Sequence, residues 1–369
     1  MPELIAVDRT GPAFLSTLLD VWDRGDAVLP VDPRLPEPAR RALFDALRPG
    51  TLVDRDGERH RLDGRPVEPG DALVIATSGS TGVPKGVVHT HESLRASARM
   101  TSAALGTRAD DVWVCCLPTS HIAGIAVIVR ALTDGLGLVM HDRFDPTAVA
   151  ADAVDGATAI SVVPTALGRM DPSAYRIVLV GGAAVPTGLP SNCRATYGMT
   201  ETASAVVLDG EVLDGVELRV RDSMIEVRGP MLLRCYRDGT DPRDADGWFA
   251  TGDAGVLEDR RLVVHGRVGD MIVTGGEKVW PTPVEAVLDT HPSVAEVAVV
   301  GRPDPEWGHA VTAVVVAADP ADPPSLEQLR EHVRAQLPAY CAPQRLELVD
   351  ALPRTALGKV MRHTLTGDL

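Results

Sequence analysis

Apolar and polar positions change texture three times along this chain. In residues 1 to about 70, FLSTLLDVWD carries apolar residues at helical spacing. PVDPRLPEP is a proline-rich connection, and PEPARRALFDAL reads as a helix with proline in its first turn. This stretch is expected to be a preamble of helices and loops. From about 70 to 180 the texture becomes strand–helix alternation. DALVIATS, DVWVCCLP, LGLVMHD, ATAISVVP and YRIVLVGG read as strands, and ESLRASARMTSAALG and IAGIAVIVRALTDG as helices. That alternation predicts an α/β sheet of parallel strands, which binds ligands outside its carboxyl ends. The turns TSGSTGVPKG and VGGAAVP stand at such ends.

From about 205 to 265, GVELRVRDSMIEVRGPML and LEDRRLVVHGR alternate apolar and polar, the mark of a small antiparallel region. After GRVGD come a helix-then-strand run, VEAVLDTHPSVAEVAVVGRPD, and a strand, HAVTAVVVAAD. SLEQLREHVRAQL sets Leu326, Leu329, Val333 and Leu337 on one helical face, and DPADPPS is a surface loop. The pattern predicts an α/β protein with two domains. Residues 1–268 form a large domain of parallel-rich sheets with helices and a small antiparallel region. Residues 269–369 form a small α+β domain.

Composition adds constraints. A hydrophobic fraction of 45% and a charged fraction of 24% describe an ordinary globular chain. Aromatics are only 4%, so aliphatic residues must fill the core. A net charge of −15, with no Lys/Arg run, argues against nucleic acid and stable membrane association. Anionic ligands must then be met by a few placed cations, backbone N–H groups or a metal. The five cysteines show neither CxxC spacing nor a disulfide framework. The first residues lack the pattern of a secretory signal, and no apolar run is long enough to span a bilayer, so the cytoplasm is the expected location.

Five stretches carry candidate chemistry. TSGSTGVPKG has the Gly79-to-Lys85 spacing of a phosphate loop, but Pro84 precedes the lysine and Gly86 follows it. Proline has no N–H to donate, and the missing hydroxyl removes a metal ligand, so a standard P-loop NTPase is excluded. The hydroxyls of Thr77, Ser78, Ser80 and Thr81, the Gly79 and Gly82 amides and the Lys85 charge still suit phosphate. TYGMTETAS offers Tyr197, Gly198, Met199, Thr200 and Glu201. WFATGDAG carries Asp253, able to accept from two ribose hydroxyls or to sit in an Asx turn. GRVGDMIVTGGEK holds Arg267 and Gly269, and PRTALGK ends in Lys359. Singly, each is as compatible with an ordinary solvated loop.

Together and in this order, the five resemble the adenylate-forming superfamily of acyl- and aryl-CoA synthetases, luciferases and peptide-synthetase adenylation domains. The resemblance runs from about residue 72 to 363. It implies activation of a carboxylic acid by ATP to an acyl-adenylate, then transfer to a thiol such as coenzyme A. It also implies roles. Thr77, Ser78, Gly79, Ser80, Thr81, Gly82 and Lys85 would hold the β- and γ-phosphates. Gly181, Gly182, Ala183 and Tyr197, with Gly198 and Met199, would line the adenine. Thr200 would contact the α-phosphate, Glu201 would ligate Mg2+, and Asp253 with Arg267 would bind the ribose. Lys359 would neutralise charge developing in adenylation. The small domain would then swing about Gly269 and bring Thr274, Gly275 and Gly276 to coenzyme A.

Three departures stand out. Gly269 occupies a hinge position where many relatives carry Asp or Lys. Ala195 stands where many carry an adenine-recognising asparagine. The large domain is shortened at its N-terminus. LPTSHIAG, TYGMTETAS, the uncharged hinge and the short chain look most like the compact actinobacterial o-succinylbenzoate–CoA ligases of menaquinone biosynthesis. That likeness implies His121, Thr202 and Ser204 as pocket residues, although His121 could equally cap its turn. Another aryl- or acyl-CoA ligase, an adenylation enzyme loading a carrier-protein thiol, and a nucleotide-binding regulator remain as alternatives. A homodimer is left open.

Overall fold

The first seventy residues build strands as well as helices. Leu4–Val7 (β1) and Ala27–Pro30 (β2) are four-residue apolar runs, buried throughout, on either side of helix Gly11–Asp23 (α1). Glu37–Leu47 (α2), Thr51–Val53 (β3) and Arg59–Arg61 (β4) follow. The expectation of helices and loops is thus corrected. A run of four residues buried on both faces has no alternation for a sequence pattern to reveal. β1 pairs parallel with β2 and with β3. Phe14, Leu18 and Val21 of α1 and Leu43 and Leu47 of α2 are buried.

The computed structural model describes every residue except 79–83, 183–184, 186–187, 355–359 and 367–369. Its contacts divide the chain into two compact units, Met1–Leu218 with Val227–Phe249, and Arg219–Glu226 with Ala250–Leu369. In the first unit, Asp71–Ser78 (β5) joins β2 in parallel and Pro84–Thr90 (β6) in antiparallel. β6 was not foreseen, because Pro84 and Gly86 read as loop. Helix His91–Leu105 (α3) follows at once. Thr90 and Ser93 form its capping box, and Gly106 ends it with a left-handed φ of 58°.

The alternation expected after residue 105 is present. Val112–Cys115 (β7), Gly137–Met140 (β8), Ala159–Val162 (β9) and Ile177–Val180 (β10) pair in parallel. Helices Ile122–Asp134 (α4) and Pro146–Val154 (α5) and the single turn Pro164–Leu167 (α6) connect them. Cys193–Met199 (β11) extends the parallel set, and Ser204–Leu208 (β12) and Glu211–Val212 (β13) turn antiparallel. The order in this unit is β13-β12-β11-β10-β9-β7-β8.

Glu217–Arg221 (β14) and Met224–Arg228 (β15) precede Cys235–Tyr236 (β16), which returns to the first sheet beside β6. That sheet runs β16-β6-β5-β2-β1-β3-β4. Phe249–Glu258 (β17) and Arg261–Arg267 (β18) are antiparallel, as the sequence texture suggested. The rest of the second unit is a sheet of Ile272–Thr274 (β19), Glu277–Val279 (β20), Val294–Asp304 (β21), Gly308–Ala317 (β22) and Arg345–Leu348 (β23). Helices Pro281–Leu288 (α7) and Leu326–Arg334 (α8) cover it, closing a core of Val284, Leu288, Val299, Val311, Leu329 and Val333. Arg362–Leu365 (α9) is the last helix described. The fold is therefore mixed α/β, with a large sheet-and-helix part and a smaller α+β part. Among the described residues no helix is long and apolar enough to cross a membrane.

Candidate active site

The glycine-rich stretch lies where β5 turns back into β6. Thr77 stands opposite Lys85 and Ser78 opposite Pro84. The Thr77 hydroxyl is 3.4 Å from the Lys85 carbonyl, and Lys85 is exposed. Gly79, Ser80, Thr81 and Gly82 lie outside the described residues. Gly86, the departure from a P-loop, has a packing reason. A Cβ there would come within 2.7 Å of Leu47 and 2.8 Å of Val74, closer than a packed interior tolerates.

Thr200, Glu201 and Thr202 form a single 3-10 turn between β11 and β12. Thr202 is fully buried, and its hydroxyl accepts from the Met199 N–H at 3.0 Å and lies 2.6 Å from the Ser204 carbonyl. Its hydroxyl is engaged in shaping the turn. Ala203 and Ser204 then take left-handed φ values of 54° and 138°. Backbone strain of this kind in non-glycine residues collects where a site needs a fixed geometry. Gly198 completes the turn, since a Cβ there would collide with the Ser204 carbonyl oxygen. Tyr197, in β11, is half-buried, and a bulge between it and Gly198 re-aims the strand.

Two residues that the motifs did not single out hold this turn. His89, fully buried in β6, places Nε2 2.6 Å from the Thr200 carbonyl and Nδ1 3.1 Å from the Ser93 hydroxyl. Burial pushes its imidazole pKa down to about 4, so it is neutral and Nε2 donates. Tyr236, in β16, donates its hydroxyl to Glu201 at 3.1 Å, and its ring face lies 5.2 Å from the Lys85 ammonium. His89 gave no signal in the sequence, because β6 was not foreseen as a strand. Tyr236 gave none, because its partners are far away in the chain.

Gly181 and Gly182 follow β10, beside β11. A Cβ on Gly181 would collide with the Thr196 hydroxyl, and Gly182 has a φ of 82°. Ala183 lies outside the described residues. His121 occupies the N-cap of α4 without a side-chain cap bond, so the capping alternative finds no support. Burial lowers its pKa, partly offset by the charge of Asp32. Asp32 itself is paired with Arg34 at 2.8 Å.

The second unit holds a separate set. Arg267 pairs with Asp253 at 2.9 Å and donates to the Thr251 carbonyl at 3.0 Å. The two residues are cross-strand partners in β17 and β18. Gly269 sits in the turn Val268–Asp270, and a Cβ there would meet nothing within 4 Å. Thr274, Gly275 and Gly276 close the β19–β20 hairpin, where the Gly275 N–H donates to the Trp307 carbonyl at 2.9 Å. A Cβ on Gly275 would press on the half-exposed Trp307 ring at 2.9 Å. Lys359 lies outside the described residues. The structure thus brings Lys85 and Glu201 to Tyr236 in one unit, with Thr77 opposite Lys85 and Thr200 in the turn of Glu201, and Asp253 with Arg267 in the other. All five cysteines are free thiols.

Comparisons with known proteins bear on the family and the fold. Residues 51–224 match the AMP-binding enzyme family, and residues 283–359 match the AMP-binding enzyme C-terminal domain. A probable 2-succinylbenzoate–CoA ligase of Mycobacterium tuberculosis (strain ATCC 25618 / H37Rv) is 39% identical over 352 residues, 88% of each chain. The 2-succinylbenzoate–CoA ligase of Bacillus licheniformis is 34% identical over 334 residues, 80% of this chain and 69% of its own. Among solved structures, o-succinylbenzoate CoA synthetase of Bacillus subtilis, in complex with its acyl-adenylate intermediate, superposes with a TM-score of 0.87 at 27% identity. It covers 100% of this chain and 88% of its own. With both family domains matched in order and a relative 39% identical over 88% of the chain, the chain belongs to the AMP-binding enzymes, the adenylate-forming family.

Proposed function

We propose that this enzyme is an AMP-forming acid–CoA ligase whose acid is o-succinylbenzoate. The observation that carries the reading is that Lys85, beside the β5–β6 turn, and Glu201, in the Thr200–Thr202 turn, two opposite charges, meet on the same tyrosine, Tyr236. The names and identities of the relatives support the choice of acid. In the first half-reaction a carboxylate oxygen attacks the α-phosphorus of ATP, and the bond to the pyrophosphate oxygen breaks. In the second, the coenzyme A sulfur attacks the acyl carbon and AMP departs with the bond electrons. Both steps bring anions together, so placed positive charge and oriented donors lower the barrier.

The residues take these parts in the proposal. Thr77 to Lys85 grip the β- and γ-phosphates, Thr200 meets the α-phosphate, and Tyr197 lies along the adenine with Gly181 to Ala183. Asp253 accepts from the ribose hydroxyls, and its ion pair with Arg267 orients it. His121, Thr202 and Ser204 border the acid, Thr202 through the turn it holds. Lys359 neutralises the adenylation transition state. Gly269, with open space around it, is the hinge between residues 1–268 and 269–369, and Thr274, Gly275 and Gly276 meet coenzyme A. Glu201 suits Mg2+, a hard cation that takes one or two carboxylates along with phosphate oxygens. Bound there, the ion would draw charge from the phosphate oxygens. We assign the enzyme to the cytoplasm, as a homodimer or monomer to be resolved by its mass in solution.

Purified protein with ATP, Mg2+ and o-succinylbenzoate should release pyrophosphate, and with coenzyme A should yield the thioester. A panel of aryl and acyl acids tests the choice of acid, and a phosphopantetheinylated carrier protein tests the acceptor. Pyrophosphate release with other acids and none with o-succinylbenzoate would overturn the substrate and keep the ligase.

A further inference from the structure

Tyr236 reaches the phosphate-binding end of β6 from a segment that no motif covers. Main-chain bonds fix it beside both of its charged neighbours. The Arg237 N–H donates to the Gly86 carbonyl at 2.7 Å, the Arg234 N–H to Val88 at 2.9 Å, and the Leu233 N–H to Glu201 at 2.8 Å. The strand that carries the tyrosine is therefore tied to the lysine's strand and to the glutamate's turn.

Lys85 and Glu201 carry opposite charge and share this one neighbour. A lysine has a flexible four-carbon stem, so an ammonium near a carboxylate will pair with it unless something intervenes. Such a pair would cancel the positive charge that phosphate needs and cover the carboxylate that a cation needs. The tyrosine offers each a weaker substitute. Its ring face attracts the ammonium, and its hydroxyl donates one hydrogen bond to the carboxylate. The first yields to the phosphates of a nucleotide, the second to a cation.

We propose that Tyr236 is a positioning residue, a spacer that keeps Lys85 and Glu201 from pairing and leaves both facing the nucleotide. The inference rests on the reading of Lys85 and Glu201 as phosphate and metal contacts.

Calorimetric binding of ATP and of AMP to the full-length protein, in EDTA and across a Mg2+ titration, tests it. Tyr236→Leu should weaken ATP binding in EDTA about 3- to 10-fold, the scale of a lost cation–π contact and a misplaced charge. Adding Glu201→Gln should restore that loss, because collapse needs the carboxylate. Tyr236→Phe keeps the ring, so it should bind ATP normally in EDTA but need more Mg2+ for its effect on binding. AMP, which lacks the outer phosphates, should bind all variants alike. Unchanged ATP binding by Tyr236→Leu beside a weakened Lys85→Ala would overturn the spacer and leave the phosphate reading standing. Equal loss of ATP and AMP would mark a merely structural tyrosine. Normal ATP binding by Lys85→Ala would overturn both.

Discussion

His89 makes a testable link between a buried histidine and the turn that carries Thr200 and Glu201. Its side chain is 0% exposed, and its Nε2 gives the Thr200 carbonyl a partner at 2.6 Å. Replacing it with leucine keeps the volume and removes the donor. The orphaned carbonyl should cost about 1–3 kcal/mol at pH 7.5. The histidine also titrates. Its folded pKa of about 4 lies below the unfolded value of 6.5. The unfolded chain therefore binds more protons between those values, and stability falls as pH falls. The contribution is complete above pH 6.5 and is lost as the pH drops through about 4. At pH 5 the loss is about 2 kcal/mol by linkage. The gap between wild type and His89→Leu should therefore close by about 2 kcal/mol from pH 7.5 to pH 5. Urea melts followed by tryptophan fluorescence at the two pH values measure it. A gap that does not change with pH would refute the buried neutral imidazole.

Other outcomes follow from the same geometry. Gly198→Ala must push the Ser204 carbonyl aside, which should cost about 1–3 kcal/mol, read as a lowered melting temperature together with weaker ATP binding. Lys359→Ala should cripple adenylation while sparing thioester formation from pre-made acyl-adenylate; equal loss in both half-reactions, measured separately, would contradict the role proposed for it. Burial pushes the thiols of Cys115 and Cys116 up to about 12, so iodoacetamide at pH 8 should leave both unlabelled by mass spectrometry and react, if anywhere, at the partly exposed Cys341.

The sequence pattern revealed the elements with strong periodicity. β7 to β10 were legible because each is an apolar run closed by a turn residue, and α8 because Leu329 and Val333 share a face. The strands of residues 1–70 were not, since LIAV and AVLP are too short to separate from any buried segment. β6 hid behind Pro84 and Gly86, which signal a turn locally but take their places from Leu47 and Val74 packing beside them. The ordered motifs singled out Lys85, Glu201 and Asp253 as candidates. They could not point to His89 or Tyr236, whose value lies in contacts to residues 111 and 35 positions away. Ala203 and Ser204 carry residue types that give no hint of left-handed backbone.

β16 is two residues long, yet it flanks the β5–β6 hairpin from a point far along the chain. On the ribosome, β5 and β6 emerge well before Cys235 and Tyr236. Until that later segment arrives, β6 has an unpaired edge, Lys85 has no ring to rest on and the Glu201 carboxylate has no phenol donor. The phosphate end of the proposed nucleotide site should therefore be completed only when residues 233–237 dock. A nascent chain halted before Leu233 would carry every motif residue of the hairpin and of the Thr200–Thr202 turn, and still lack the tyrosine beside Lys85 and Glu201. Pairing between segments so distant in sequence is slow, so this edge of the hairpin closes late in folding.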